Sequence, residues 1–459
     1  MTFTGSRADS ELTRAETRDS TWNALVTAFL CHGRETPVLL GRLITEFPDE
    51  PMGPLTKGYM LLMLSRSELR AAAEESYAEG MRRLVLSPDT RASYYAQGLR
   101  SWLDGQPRGA VRAMERIIDN NPLDAMAVKI SHAVRFMLGD ADGMRRSLAR
   151  IVSIYTDTIP NAGFIRGCYA FALEETGDYI EAEKIGRRAV QLEPRDAWGR
   201  HAVAHVFEMT GRAAEGLNWL SDKSQWEHCN NFSFHMAWHI ALFQLELGRN
   251  HEALALYDAA IRAEKTDDFR DIANAASLLQ RLEIAGLSVG NRWEELADLA
   301  ERRIEDRQLV FADLHYILAL LGAGRFGSAE TMVRSMLDKA PVGHNGKLTQ
   351  DIAAPVAAGL VAFAAGRMEE ALQFLEPLRD KLQPIGGSHA QRDVFQQIYL
   401  EALVRTGAPN AQAALQSRIE SRAGNNLFAS ERLARILTRS TLGKVALETL
   451  GQTPVLQVH

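Results

Sequence analysis

Apolar and polar positions alternate along this chain with a helical period, and the period is interrupted at regular intervals. The clearest example runs from Gly163: GFIRGCYAFALEETGDYIEAEKIGRRAVQLEPRD. It predicts one helix, a tight Gly177-Asp178-Tyr179 turn, a second helix, and a stop at Pro194. Small residues at Ala182 and Ala189 mark where the two helices must approach closely. The next unit begins at Ala197 and keeps the spacing, since Gly177 and Gly211 are 34 apart.

Taking the turn glycine as the marker makes the repeat measurable. Gly105, Gly139, Gly177, Gly211 and Gly248 are separated by 34, 38, 34 and 37, and Gly286, Gly324, Gly366 and Gly407 follow at 38, 38, 42 and 41. Three further marks agree. Gly98 and Gly359 precede their turn glycines by seven. Ala110, Ala182, Ala253, Ala329 and Ala371 follow theirs by five, and Pro122, Pro194 and Pro341 by seventeen. This is the tetratricopeptide pattern, a helix pair of about 34 residues. A single pair cannot bury its apolar side alone. Stacked pairs can, so the predicted fold is all-α, an α-solenoid of antiparallel helix pairs. The expected divisions are a polar tail over 1–19, helical pairs over 20–90, the repeat solenoid over 91–408 and a polar helical cap over 409–459.

Composition narrows the function. The formal net charge is −6 with signs mixed, and no basic stripe with interleaved aromatics occurs, which argues against nucleic acid as a partner. Three distant cysteines, Cys31, Cys168 and Cys229, do not suit a disulfide framework and fit a reducing compartment. The polar start, MTFTGSRADSELTRAETRDS, lacks the apolar core of a secretory signal. No run of about 18 apolar residues occurs, so no membrane span is expected. A cytoplasmic protein is the expectation. H-E-x-x-H is absent, because His251-Glu252 is followed by Ala255. Phosphate loops, G-x-S-x-G and paired CxxC are absent too.

The candidate chemistry is clustered. First helices of tetratricopeptide pairs line the concave groove. Counting Ala197 as the first position, groove-facing positions 2, 5, 9 and 12 hold Trp198, His201, His205 and Glu208. The two histidines and the glutamate fall within a sector of about 60°. The next first helix brings His235, Trp238 and His239, and the preceding one Phe171, Glu174 and Glu175. His201, His205, Glu208 and His235 are therefore the candidate catalytic set. They suit proton transfer, or a divalent metal held by the same four residues. Trp198, Phe171, Glu174, Glu175, Trp238 and His239 would complete the pocket. Polar groups in a groove that only contact a partner are the plainer reading. Asp313 and His315 open another first helix and suit a core or capping role before a binding one. In GGSHAQRD (386–393), His389, Arg392 and Asp393 and the free N–H groups of a helix start could hold an anion, or Arg392 and Asp393 could form a structural network.

These segments resemble one family, that of tetratricopeptide repeat protein 38. The resemblance rests on DAWGRHAVAHVFEM (196–209), HMAWHIAL (235–242), GLSVGNRW (286–293), DLH (313–315) and GGSHAQRDVF (386–395), and extends over nearly the whole chain from about residue 20. It implies a degenerate tetratricopeptide solenoid, with recurring histidines at His201, His205, His235 and His239. It implies no particular reaction. A member of that family has a cysteine just before the residue that matches His235, where this chain has Phe234, so the resemblance implies no cysteine-ligated zinc here. The expected ligand is a small molecule or peptide in the concave groove. The alternative is an enzyme using the groove histidines and Glu208.

Overall fold

The computed structural model describes residues 5–338 and 344–438. Nine helix pairs follow one another from Thr90–Leu103 with Pro107–Asn120 to His389–Thr406 with Ala411–Ser421. Between them lie, for example, Ala162–Glu174 with Tyr179–Leu192, Ala197–Met209 with Ala213–Leu220, and Phe232–Glu246 with Asn250–Leu256. All nine predicted turn glycines adopt left-handed backbone, with φ between +64° and +88°. This is the C-terminal cap conformation that a side chain disfavours. Gly139 is doubly constrained, because a β-carbon there would overlap the Gln383 carbonyl across the molecule. The seam alanines Ala110, Ala182, Ala189, Ala253, Ala329 and Ala371 are fully buried. No strand occurs among the described residues, only an isolated bridge between Gly33 and Cys229. The chain is thus an all-α solenoid of tetratricopeptide-like pairs. Pro341 lies outside the described residues.

The ends differ from expectation. The first helix runs Gly5–Leu30, so most of the expected polar tail is helical. Its Ala, Glu, Arg and Leu content favours helix even where no apolar stripe exists. The second pair is Met52–Met63 with Arg70–Leu86. Within the expected polar cap, Ala411–Ser421 is followed by a helix over 427–438, and Arg418, Arg422 and Arg432 are buried. The rest of the cap, from 439, lies outside the described residues.

The solenoid curls until distant pairs meet, and its concave side becomes an interior. Helix His389–Thr406 is buried around nearly its whole circumference and packs on Phe269–Ile284. Arg281 donates to the Ala390 carbonyl at 2.7 Å, and Arg422 to the Glu208 carbonyl at 3.2 Å. On another side Arg34 donates to the Cys229 carbonyl at 2.9 Å, and Arg303 pairs with Glu68 at 2.7 Å. Residues that would line an open groove in a short repeat array are therefore enclosed here. No helix among the described residues is long and apolar enough to cross a membrane.

Candidate metal centre

Ala197–Met209 and Phe232–Glu246 lie side by side, each presenting two histidines at i and i+4 to the interior. Residues so spaced share a helix face. The four imidazoles converge through their Nε2 atoms: His201 to His235 at 2.8 Å, His201 to His205 at 2.9 Å, and His235 to His239 at 3.2 Å. One ring nitrogen from each of the four lies within 4.8 Å of the others. His201 is 1% exposed, His205 and His239 0%, and His235 9%.

This contact pattern is hard to satisfy with hydrogen bonds alone. Each Nε2 carries either one proton or one lone pair. His201 and His235 each make two contacts through that single site, so the three contacts cannot all be linear hydrogen bonds. One cation among four lone pairs satisfies every atom at once. Nitrogens about 2.0–2.1 Å from a common ion are separated by roughly 2.8 Å in a square and 3.4 Å in a tetrahedron. The observed separations match that range.

The far side of three of the rings has its own neighbour, while His201 Nδ1 has none among the described residues. His235 Nδ1 lies 3.1 Å from Asn274 Oδ1. His239 Nδ1 lies 3.4 Å from Glu208 Oε2, and His205 Nδ1 lies 3.6 Å from Glu174 Oε2. The last two exceed a formed hydrogen bond, but they put an acceptor opposite each Nδ1–H. A proton on Nδ1 leaves the lone pair on Nε2, where the rings meet. Burial lowers all four imidazole pKa values. At His201 and His205 neighbouring imidazoles add to this, and His239 falls to about 3, with Arg281 contributing. The rings are therefore neutral, the form a metal requires. Burial pushes Glu208 up to about 7 and Glu174 well above the usual carboxylate range, Glu175 and Glu208 adding to the latter.

Aromatic rings wall the cluster. Phe171 stacks on His201 with centroids 5.5 Å apart, Trp198 lies 4.9 Å from the same ring, and Trp238 stacks on His235 at 5.3 Å. Phe232, which the sequence reading passed over, lies 5.3 Å from His201.

Glu208 and His239 exchange the places expected of them. Glu208 stands behind His239, beside its Nδ1, whereas His239 brings its Nε2 into the cluster with the other three. The reason is helical: His235 and His239 repeat the i, i+4 pairing of His201 and His205, while Glu208 stands a turn beyond His205 on its own helix. Glu175 lies within 4.8 Å of Glu174 and a His205 ring nitrogen, but its carboxylate is engaged from another side. Its carboxylate accepts from the His389 backbone N–H at 2.7 Å and from Arg392 at 3.1 Å. The anion at that helix start is thus supplied by the chain itself. Asp393 sits among Arg418 at 2.6 Å, Arg422 at 3.1 Å and Arg281 at 3.9 Å. Burial would raise its pKa, but these guanidiniums more than offset that and hold it below its ordinary value. Asp313 and His315 lie elsewhere. His315 Nδ1 donates to the Phe311 carbonyl at 2.7 Å, and its ring packs against Phe311 and Phe395. Burial raises Asp313 to about 8 against the pull of Arg307. Asn274 and the buried arginines escaped the sequence reading. Asn274 left a faint signal, as a lone amide in the small, apolar run IANAASLL.

No protein-family model matches the chain. Among solved structures, the human IFIT1 dimer with PPP-AAAA is 15% identical, with a TM-score of 0.39 over 81% of this chain and 87% of that one. The same dimer with m7Gppp-AAAA gives a TM-score of 0.37 at 15% identity and the same coverage. A chain of Naa15/Naa10 bound to HypK-THB is 12% identical, with a TM-score of 0.25 over 96% of this chain and 69% of that one. Similarities this loose carry nothing about the site.

Proposed function

We propose that this chain is a member of the tetratricopeptide repeat protein 38 family that encloses a transition-metal centre, and that the centre serves metal-assisted chemistry on a small molecule. The observation that carries this reading is the chain of three Nε2–Nε2 contacts that links four imidazoles whose ring nitrogens lie within 4.8 Å of one another, with Asn274, Glu208 and Glu174 opposite Nδ1 of three rings. An all-imidazole donor set suits zinc, copper, iron or nickel rather than magnesium or calcium. His201, His205, His235 and His239 would be the ligands. Glu174, Glu208 and Asn274 would orient the rings, and the two carboxylates would balance the ion's charge in a dry interior. Phe171, Trp198, Phe232 and Trp238 would keep water out. With four protein ligands in place, the ion would act on a small molecule by taking it as a fifth ligand and polarising it.

A peptide ligand fits less well, because helix His389–Thr406 and the Arg422 segment occupy the space a peptide would take. Three free, buried cysteines support a reducing, cytoplasmic setting. A metal-free proton relay through the His205–Glu174 and His239–Glu208 pairs is the second reading. Elemental analysis of the purified protein separates the two. One transition-metal ion per chain, lost in His201→Ala and His235→Ala, is expected. A protein that carries no metal, and whose melting temperature is unmoved by added zinc, copper, iron or nickel, would leave the relay.

A further inference from the structure

Over the Trp198 ring, a buried ammonium has no carboxylate partner. Lys129, on helix Ala125–Met137, is 4% exposed. Its Nζ lies 3.4 Å from His32 Nε2 and 4.4 Å from the centroid of the Trp198 ring. Among the described residues no carboxylate comes within 4.0 Å of it. Asp196 is buried and pushed up to about 7 mainly by that burial, with Lys129 pulling the other way. A ring face and a neutral imidazole are weak compensation for a desolvated charge.

Other polar atoms around the same indole are also without partners. His132 is 3% exposed, with neither ring nitrogen hydrogen-bonded, and its ring meets Trp198 edge-on at 5.7 Å. Trp198 Nε1–H and His201 Nδ1 are buried and unpartnered as well. His32 stacks between Phe232 at 4.3 Å and Trp198 at 5.6 Å. Trp198 and Phe232 both also touch the His201 ring, so this group shares a wall with the imidazole cluster. Burial, together with Lys129, lowers the pKa of both His32 and His132, so neither adds a second cation. A buried donor normally finds an acceptor. Here one ammonium and several N–H groups lie around the same indole, and the one acceptor in contact with the ammonium is the neutral His32 ring.

We infer that Lys129, His132 and Trp198 form a subsite for a small anion, a carboxylate or inorganic oxyanion, beside the metal centre. The inference rests on the metal reading only for what the anion adjoins. The ammonium supplies the charge, and the ring N–H groups supply direction.

The test is thermal denaturation of the full chain, metal-free and zinc-loaded, at constant ionic strength. Formate and acetate form the carboxylate arm, nitrate and phosphate the oxyanion arm. One arm should raise the wild-type melting temperature with saturation, and Lys129→Met should weaken that anion at least tenfold while Lys129→Arg retains it. Without added anion, Lys129→Met should melt at or above wild type, because it removes an uncompensated buried charge. Should Lys129→Met fail to fold, His132→Phe, read the same way, replaces it and should also weaken binding. Zinc stoichiometry should not change in any of these variants. Equal anion dependence in wild type and variants, or none in either metal state, overturns the subsite. A Lys129-dependent anion effect in a protein that takes up no metal keeps the subsite and removes the metal reading.

Discussion

An imidazole Nε2 has one bonding site, and that restriction makes the cluster informative. Removing one ring should abolish tight metal binding without disturbing helix seams, so His235→Ala should retain helical circular dichroism but fail to hold metal through dialysis. Glu208→Gln should keep the ion and weaken it on the order of 10–100-fold by chelator competition, as outer partners do. A loss of metal no different from His235→Ala would instead make Glu208 a direct ligand. Asp313 gives a separate test by pH. Its folded pKa is about 8, against roughly 3.9 when unfolded. The folded state therefore holds the extra proton, and the stability this confers fades as pH rises from about 4 to 8. The melting-temperature difference between Asp313→Asn and wild type should grow in favour of the variant across that window and level off above it. A pH-independent difference would show that Asp313 is ionised. On the acid side His239, with a folded value of about 3, works the other way. Metal-free stability should fall as pH drops below about 6.5, because the unfolded chain takes up protons that the folded one refuses.

At the scale of elements, much of the repeat can be read in the sequence because helix pairs are local. Turn glycines, seam alanines and terminal prolines act within one unit, and each needs only its neighbours to be explained. Ala182 shows how strict this is, since its methyl lies fully buried in the seam of its pair. Ala182→Glu should cost about 4 kcal/mol or more, measured by chemical denaturation, because it buries an unpaired charge and overfills the seam. An unchanged midpoint would mean that the two helices do not pack through this position. Gly98 should behave similarly. A β-carbon there would lie 2.8 Å from Ala113 Cβ and 3.2 Å from Ala110 Cα, so Gly98→Ala should destabilise by about 1–3 kcal/mol. Where local signals fail, the reason is also local. The helix Gly5–Leu30 carries Arg, Ala, Glu and Leu of high helix propensity in its first half but no apolar stripe, which a search for apolar periodicity reads as a tail.

Over the whole molecule the controlling feature is closure, in which charged groups far apart in sequence meet in the interior. Asp393 neutralises part of the Arg281, Arg418 and Arg422 cluster. Asp393→Asn should destabilise by about 3–5 kcal/mol, since it leaves buried guanidiniums unpaired. Hydrogen exchange should rise most over 389–432, the segment those arginines hold against the interior. Exchange unchanged there would mean that packing alone maintains closure.

The sequence by itself determined the helix pairs and where they turn, because those depend on contacts within about 40 residues. It also brought His201 together with His205, and His235 with His239, since each pair shares one helix face. It did not determine which of His239 and Glu208 comes nearest the other imidazoles, nor that the inward face is enclosed. Those depend on how far each pair rotates on the next, a quantity that accumulates over many repeats. Glu175 meets His389 across 214 positions, and Arg422 meets Glu208 across the same separation. Only the tertiary structure decides contacts of that range, because small rotations at each seam add up to whether a solenoid stays open or closes on its own interior.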